Sequence, residues 1–327
     1  MADQQTSIVT GGAGFLGSHL CDHLIARGDR VICIDSLITG SLKNIAHLVD
    51  RPDFEFIQQD IIQPVHLPGP VHDIFNLACP ASPAKYTLDP VHTFNTSVIG
   101  SQNMLNLAVD KGARILQAST SEVYGDPSVS VQSEDYRGNV NTVGPRSCYD
   151  EGKRAAETLF HDFRQRYGLV TKIVRIFNTY GPRMSLDDGR AVSNFIVQAL
   201  KGEDLTVYGT GEQTRSFCFV EDLIHGICRM METPDNIAGP INLGNPEEHT
   251  IKELAEMILQ KTHSTSKLTY LDLPVDDPLR RKPDITLARE ILQCEPQYTL
   301  SEGLDLTIPY FRNLLPGLDK LRVVAGG

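Results

Sequence analysis

The 327-residue chain predicts an α/β fold, a doubly wound parallel sheet followed by a smaller C-terminal lobe. Two observations predict it. Up to about Arg175, short β-branched runs alternate with helical stretches, the pattern of a parallel sheet covered by helices on both faces. The first of these runs, Ser7–Thr10, leads through Gly11, Gly14 and Gly17 directly into a helical pattern.

Taken in order, Gly11 permits a tight turn after the first strand, Gly14 lets the backbone approach a pyrophosphate, and Gly17 lets the helix pack on the strand. The helix N-terminus attracts phosphates. This is the opening of a Rossmann-type dinucleotide site. The second strand, R-V-I-C-I-D, ends at Asp35, where a carboxylate accepts hydrogen bonds from the adenosine ribose hydroxyls and repels a 2′-phosphate. With Ser36 and Leu37 rather than a basic residue beside it, NAD is expected over NADP. Further strands are expected at F-E-F-I-Q (54–58), D-I-F-N-L-A (73–78), R-I-L-Q-A-S (114–119) and T-K-I-V-R-I (171–176). A helix around 103–111 should stop at Gly112.

Residues 1–177 are thus read as the NAD-binding domain, and 178–316 mainly as a substrate-binding lobe. A segment near 214–235 is expected to return to the first domain. Beyond Asn178 the rhythm breaks into Pro/Gly punctuation, with helices expected around 193–202 and 250–260 and a tail at 317–327.

The run R-S-C-Y-D-E-G-K-R puts Tyr149 and Lys153 four residues apart, on one face of a helix. A lysine beside a phenol favours the phenolate and would make Tyr149 a usable base for a sugar hydroxyl. The formal net charge of −11 argues against nucleic-acid and anionic-membrane partners, which need a broad positive field. A small anionic ligand is compatible with the arginines set in Gly/Pro/Asp-containing segments: Arg183, Arg190, Arg215, Arg280 and Arg281. No apolar run approaches the roughly 20 residues that span a bilayer. Because the first strand starts by about Ser7, no signal or transit peptide is expected before it. Seven cysteines without a C-x-x-C pair predict reduced thiols and a cytoplasmic protein.

The glycine triplet, Asp35 and the segments N-L-A-C-P-A-S-P (76–83), S-T-S-E-V-Y-G-D (119–126), R-S-C-Y-D-E-G-K-R (146–154), R-I-F-N-T-Y-G-P-R-M (175–184), D-D-G-R (187–190) and R-K-P-D-I (281–285) resemble, in this order, the extended short-chain dehydrogenase/reductase family acting on nucleotide sugars. The similarity covers nearly the whole chain and is strongest to members that decarboxylate UDP-glucuronate. Asn76 stands where relatives carry histidine, and Thr142 where they commonly carry proline. Some relatives have an N-terminal membrane anchor; starting at the first strand, this chain is expected to be a soluble form.

The resemblance implies a lyase that converts UDP-glucuronate to UDP-xylose through a 4-keto intermediate, with NAD regenerated in place, no metal, and a homodimeric assembly. It assigns Tyr149, Lys153, Thr120, Glu122 and Arg281 to catalysis. Phe15, Leu16, Asp60, Ile61, Leu77 and Ala78 join the glycines and Asp35 at the cofactor. Pro80, Ser82, Tyr86, Ser121, Asn178, Arg190, Asn194, Tyr208 and Arg215, with Arg281, fall to the substrate. Members that eliminate water carry an Asp-Glu pair where this chain has Ser121 and Glu122, because a departing hydroxyl needs an acid; loss of carbon dioxide needs none. Simple 4-epimerases generally lack the glutamate. The alternatives are an oxidative decarboxylase releasing the 4-keto pentose and NADH, another 4-epimerase or 4,6-dehydratase, and a non-catalytic NAD-binding sensor.

Overall fold

The computed structural model describes residues 4–272 and 281–315; Arg280 and the expected tail at 317–327 lie outside the described residues. Six strands, β1 (Thr6–Thr10), β2 (Arg30–Asp35), β3 (Phe54–Gln58), β4 (Asp73–Asn76), β5 (Arg114–Thr120) and β6 (Thr171–Ile176), fall within two residues of the runs read from sequence. Between them lie α1 (Phe15–Arg27), α2 (Pro83–Tyr86), α3 (Pro90–Asn95), α4 (Ser101–Lys111) and α5 (Ser147–Tyr167). Gly112, left-handed at φ 64°, ends α4 where the sequence places the stop.

The chain continues through β7 (Thr179–Tyr180), α6 (Ala191–Lys201), β8 (Leu205–Tyr208), β9 (Thr214–Ser216), β10 (Cys218–Phe219) and α7 (Val220–Glu232). It then forms β11 (Ile241–Leu243), β12 (Glu248–Thr250), α8 (Ile251–Thr262), β13 (Leu268–Leu271) and α9 (Leu300–Leu314). The main sheet is parallel throughout, in the order β3-β2-β1-β4-β5-β6-β11. β11 pairs with β6, Ile241 opposite Val174, so the late chain supplies one edge.

Strand alternation divides the core into two layers. Ile8, Ile32, Ile74 and Ile115 point to one face and pack with Met104 and Leu105 of α4 and Phe160 of α5. Val9, Val31, Phe75 and Leu116 point to the other and pack with Leu20 and Leu24 of α1 and Leu223 and Ile227 of α7. Every residue of β1 is buried, as a central strand covered on both faces requires.

α6, α8 and α9 carry three two-stranded ladders, β8 with β13, β9 with β12, and β7 with β10. α8 and α9 both start at capping boxes, Thr250 with Glu253 and Thr299 with Glu302. Among the described residues no helix is long and apolar enough to cross a membrane.

Lys172 fastens α7 to the sheet. Wholly buried on β6, its ammonium donates to Thr233 Oγ1 at 2.8 Å and to the Thr233, Pro234 and Ile237 carbonyls at 3.2, 2.7 and 2.6 Å. Lys172→Met keeps the volume but leaves these acceptors without a donor, so it should cost about 3 kcal/mol. Urea unfolding checks this; an unchanged midpoint would show that the loop after α7 is held by other contacts.

Candidate active site

The order of the sheet creates the site, because the chain leaves β1 toward β2 on one side and returns to β4 on the other, opening a crevice at their carboxyl ends. Thr10 closes the floor: its hydroxyl accepts from the Leu77 and Ala78 amides, each at 3.1 Å, and donates to Asn76 Oδ1 at 2.8 Å. Asn76 in turn donates to Gln117 Oε1 at 2.7 Å and Ser101 Oγ at 3.1 Å. Asn76 therefore completes a buried network.

Gly11 has φ 69°, and a Cβ there would meet the Ala78 backbone at 3.0 Å. On Gly17 a Cβ would sit 2.1 Å from the Gly11 carbonyl oxygen, so only glycine lets α1 start this close to the turn. A Cβ on Gly14 would touch only Gly11 O at 3.0 Å and would otherwise project into the open cradle. α1 begins at Gly14 without a side-chain cap, so its first amides are left for a ligand. Asp35 accepts from the Ala13 amide at 3.0 Å and the Leu37 amide at 2.8 Å, and each oxygen keeps capacity for a ribose hydroxyl. Burial pushes its carboxyl up, and the Leu37, Ala13 and Gly14 amides oppose that.

One cavity of ≈ 1220 Å³ runs from this cradle to the lobe beyond residue 178. Phe15, Leu16, Asp60, Ile61, Leu77 and Ala78 line its first part with the glycines and Asp35. Asp60 is fixed there by His92 Nε2 at 2.7 Å and the Ile62 amide at 2.9 Å.

In the middle of the cavity α5 presents Tyr149 and Lys153, both buried. Burial drives the Tyr149 phenol above its ordinary pKa, Cys79, Glu122 and Asp150 push the same way, and the Thr120 hydroxyl opposes them. The expected stabilisation of a phenolate by Lys153 is not among these effects. Lys153 Nζ instead donates to the Ala118 carbonyl at 2.8 Å, lying 5.8 Å from the Tyr149 ring centre, and burial lowers its own pKa. Burial thus favours the neutral form of each group, and a cation beside the phenol is what would shift Tyr149 toward the phenolate. The Tyr86 ring lies parallel to that of Tyr149, 2° between planes and 5.0 Å between centres.

Beyond Tyr149 lies Glu122, in the 3₁₀ turn after β5 that Thr120 caps and Ser121 opens. Arg281 grips both of its oxygens, through Nη1 to Oε1 and Nη2 to Oε2, the latter at 2.6 Å, and Arg146 Nη2 reaches Oε2 at 2.6 Å. Burial alone would raise the Glu122 pKa, but the two guanidiniums outweigh it and hold the carboxyl below its usual range. Arg281 arrives on a pinned segment. Gln132 donates its amide to Lys282 O, accepts the Lys282 amide on Oε1 and the Asp284 amide on its carbonyl, each at 2.9 Å, while Ser216 Oγ donates to Arg281 O at 3.2 Å.

The far end holds the residues expected at the nucleotide. Pro80 and Ser82 precede α2, Asn178 lies between β6 and β7, and Tyr208 ends β8, 43% exposed. Asn194 Nδ2 donates to Gly189 O at 3.0 Å, and Arg215 Nη1 donates to Thr214 O at 2.9 Å. Arg190 lies against Asp188 through Nε at 2.5 Å and Nη2 at 2.8 Å, leaving Nη1 outside that pair. Arg183 reaches across to Asp22 of α1 at 2.6 Å.

Sequence reasoning gave no role to Arg146, Asp150, Asp188 or Cys79. The signal for Arg146 is its spacing, one turn before Tyr149 and two before Lys153, on the side of α5 that meets Glu122.

Residues 7–244 match the model of the NAD dependent epimerase/dehydratase family. The chain belongs to this family. It is 50% identical over 313 residues to UDP-glucuronic acid decarboxylase 1 of Xenopus tropicalis, covering 96% of this chain and 73% of that one. It is 52% identical over 306 residues to UDP-glucuronic acid decarboxylase 6 of Arabidopsis thaliana, covering 93% and 88%. Among solved structures it resembles UDP-glucuronic acid 4-epimerase from Bacillus cereus in complex with UDP-glucuronic acid and NAD, at TM-score 0.84 and 28% identity over 95% of this chain and all of that one. UDP-glucose 4-epimerase from Thermotoga maritima superposes at TM-score 0.85 with 30% identity, covering 95% and 99%. The cofactor is NAD, and the cradle fits it: a glycine whose Cβ would fill the space, uncapped amides at α1, and a carboxylate at the end of β2.

Asp35→Ala should narrow the preference for NAD over NADP, because it removes the ribose acceptor and the repulsion of a 2′-phosphate together. Calorimetry reads both affinities; equal binding of the two cofactors to the unmodified protein would contradict the role of Asp35.

Glu122 titrates lower folded than unfolded, so its contribution to stability is complete above the ordinary carboxylate range and is lost as pH falls through the lowered folded value. Arg146→Met removes one cation and shrinks that contribution. The gap in urea midpoint between native protein and variant should be widest near neutral pH and close on acidification; a gap independent of pH would mean that Arg146 acts elsewhere.

Proposed function

We propose that the chain decarboxylates UDP-glucuronate to UDP-xylose, as a lyase that regenerates its NAD within each turnover. One observation carries the choice of chemistry: Glu122 is held ionised between two guanidiniums, with a serine, Ser121, beside it. Neither group is an acid able to expel hydroxide, which argues against dehydration. Loss of carbon dioxide requires no such acid. Against 4-epimerisation stands the similarity itself, 50–52% to proteins named decarboxylases but 28–30% to the epimerase structures.

The glycine cradle, Asp35 and Lys153 would hold NAD, which would supply reversible two-electron oxidation at C4 of the sugar. Tyr149 acts as the phenolate, the form that the positive charges of Lys153 and of the oxidised nicotinamide would favour, and takes the C4 hydroxyl proton to become the phenol; Thr120, whose hydroxyl bonds the Tyr149 oxygen, holds the same C4 oxygen. Lys153, held by the Ala118 carbonyl, would offer its ammonium to the nicotinamide ribose. With C4 a ketone, the C6 carboxylate is β to a carbonyl. Tyr149 and Thr120 then hydrogen-bond the oxygen that receives the C5–C6 electron pair as carbon dioxide leaves. After C5 gains a proton and C4 is reduced, Tyr149 returns its proton to the C4 oxygen. Glu122 and Arg281 order the water and sugar around C5. At the far end Asn178, Asn194, Tyr208, Arg190 and Arg215 suit the uridine and diphosphate, for which guanidinium geometry is well matched.

The reading assigns the sheet with α7 and β11 to the cofactor, and α6, α8 and α9 with their ladders to the substrate. It extends to a cytoplasmic homodimer. The exposed apolar residues Val91, Phe94 and Ile99, on α3 and the π-turn after it, are consistent with a surface covered by a second copy.

Incubation with NAD and UDP-glucuronate deuterated at C4 tests the reading. UDP-xylose should form with the deuterium retained, and in heavy water one solvent deuteron should enter at C5. Stoichiometric 4-keto pentose and free NADH would establish the oxidative alternative instead, and survival of the carboxylate would exclude decarboxylation. Tyr149→Phe should bind NAD normally yet turn over about a hundredfold or more slowly.

A further inference from the structure

Two groups of side chains from distant parts of the chain divide the proposed reaction between them: Tyr149, Lys153 and Thr120 serve C4, and Glu122 and Arg281 serve C5. A row of polar residues beneath the cavity joins them. Ser119 on β5 lies opposite Arg175 on β6, and Arg175 lies opposite Asn242 on β11, so the three side chains leave one face of the sheet side by side.

Ser119 stands between Ala118, whose carbonyl holds Lys153, and Thr120, whose hydroxyl bonds the Tyr149 oxygen. Its own hydroxyl donates to Glu157 Oε1 at 2.5 Å. Glu157 follows Tyr149 and Lys153 on α5 at the same spacing of four, so one face of the helix is stitched to three consecutive residues of β5. Arg175 grips this carboxylate at two points, Nε to Oε1 at 3.0 Å and Nη2 to Oε2 at 2.7 Å.

The remaining nitrogen of Arg175, Nη1, serves the second group. It donates to Tyr124 Oη at 3.0 Å and to the Glu134 carbonyl at 3.1 Å. Tyr124 is buried two residues after Glu122 in the same turn, and its hydroxyl donates to Asn242 Oδ1 at 2.7 Å. Asn242 Nδ2 donates in turn to the carbonyls of Gln132 at 2.9 Å and Asp284 at 3.1 Å. These belong to the two segments that pin Arg281. Arg175, Glu157, Tyr124 and Asn242 do not line the cavity, so whatever they contribute passes through the residues they hold.

We propose that Arg175 is a positioning residue for the reaction as a whole: through Glu157 it sets the helix bearing the proton acceptor, and through Tyr124 and Asn242 it sets the Glu122–Arg281 clamp. The inference rests on the decarboxylase reading. Its consequence is retention of the intermediate. When this frame slackens, C4 is still oxidised, but the steps at C5 and the reduction of C4 slow, and the 4-keto sugar leaves with one equivalent of NADH formed for each molecule lost.

The test gives NAD and UDP-glucuronate to the unmodified protein, Tyr124→Phe, Arg175→Lys and the double variant, and measures the ratio of released 4-keto sugar to UDP-xylose. This ratio is set per turnover, so a smaller folded fraction alone does not move it. Tyr124→Phe keeps the ring packed near Phe177 and Tyr136 and leaves the Arg175 grip on Glu157 in place. It should bind NAD with native affinity by calorimetry, change KM little, and raise the ratio about tenfold. Arg175→Lys offers a point charge in place of the fork and should raise the ratio at least as far, and the double variant should match it, since both changes cut one connection. Release of no carbon dioxide by the unmodified protein would remove the decarboxylase reading and this inference with it. Given that release, a native ratio in Tyr124→Phe, or multiplied effects in the double variant, would overturn the role of Arg175 alone. If Arg175→Lys does not fold, Tyr124→Phe decides by the same ratio.

Discussion

Parallel pairing of β1 with β2 on one side and β4 on the other is the constraint on which everything else rests. Crossovers that diverge from one central strand must leave a gap above its carboxyl end, and the backbone there has to turn within the space that Gly11 and Gly17 allow. Thr10 and Asn76 satisfy the polar groups that such a turn exposes, so the floor of the crevice is held by the protein's own hydrogen bonds. The positions of α5 and of the turn after β5 follow from this sheet. The chemistry is therefore carried by side chains at the carboxyl ends of strands and the first turns of helices.

Electrostatically, the site is divided by which charges stand beside each buried group. Around Tyr149, burial dominates and favours neutral forms; around Glu122, two guanidiniums dominate and favour the anion. A few residues thus hold one carboxylate charged while another, Asp150, is pushed toward its protonated form.

Much of the first half was legible in the sequence because buried parallel strands leave continuous β-branched runs, and because the dinucleotide turn demands glycine at fixed spacing. The face shared by Tyr149 and Lys153 was legible for the same reason, as helical spacing is local. The sign of their electrostatic effect was not, because the cost of burying a phenol depends on what covers it. The clamp on Glu122 joins residues 159 apart, a relation that no local pattern encodes. α9 escaped reading because Pro309 sits inside it, and β7, β9, β10, β11 and β12 are only two or three residues long.

The pinning of Arg281 by Gln132 and Ser216 has a consequence for how the protein is made. A chain leaving the ribosome N-terminus first completes the glycine cradle, Asp35, Tyr149 and Lys153 long before the segment bearing Arg281 has been synthesised. Glu122 then lacks the guanidinium that grips both of its oxygens, and the Gln132 loop lacks the strand-like partner that orders it. A nascent chain can therefore acquire the means to hold a nucleotide well before it can act on a sugar. Competence comes only when the segment bearing Arg281 docks and sets the charge at the centre of the pocket.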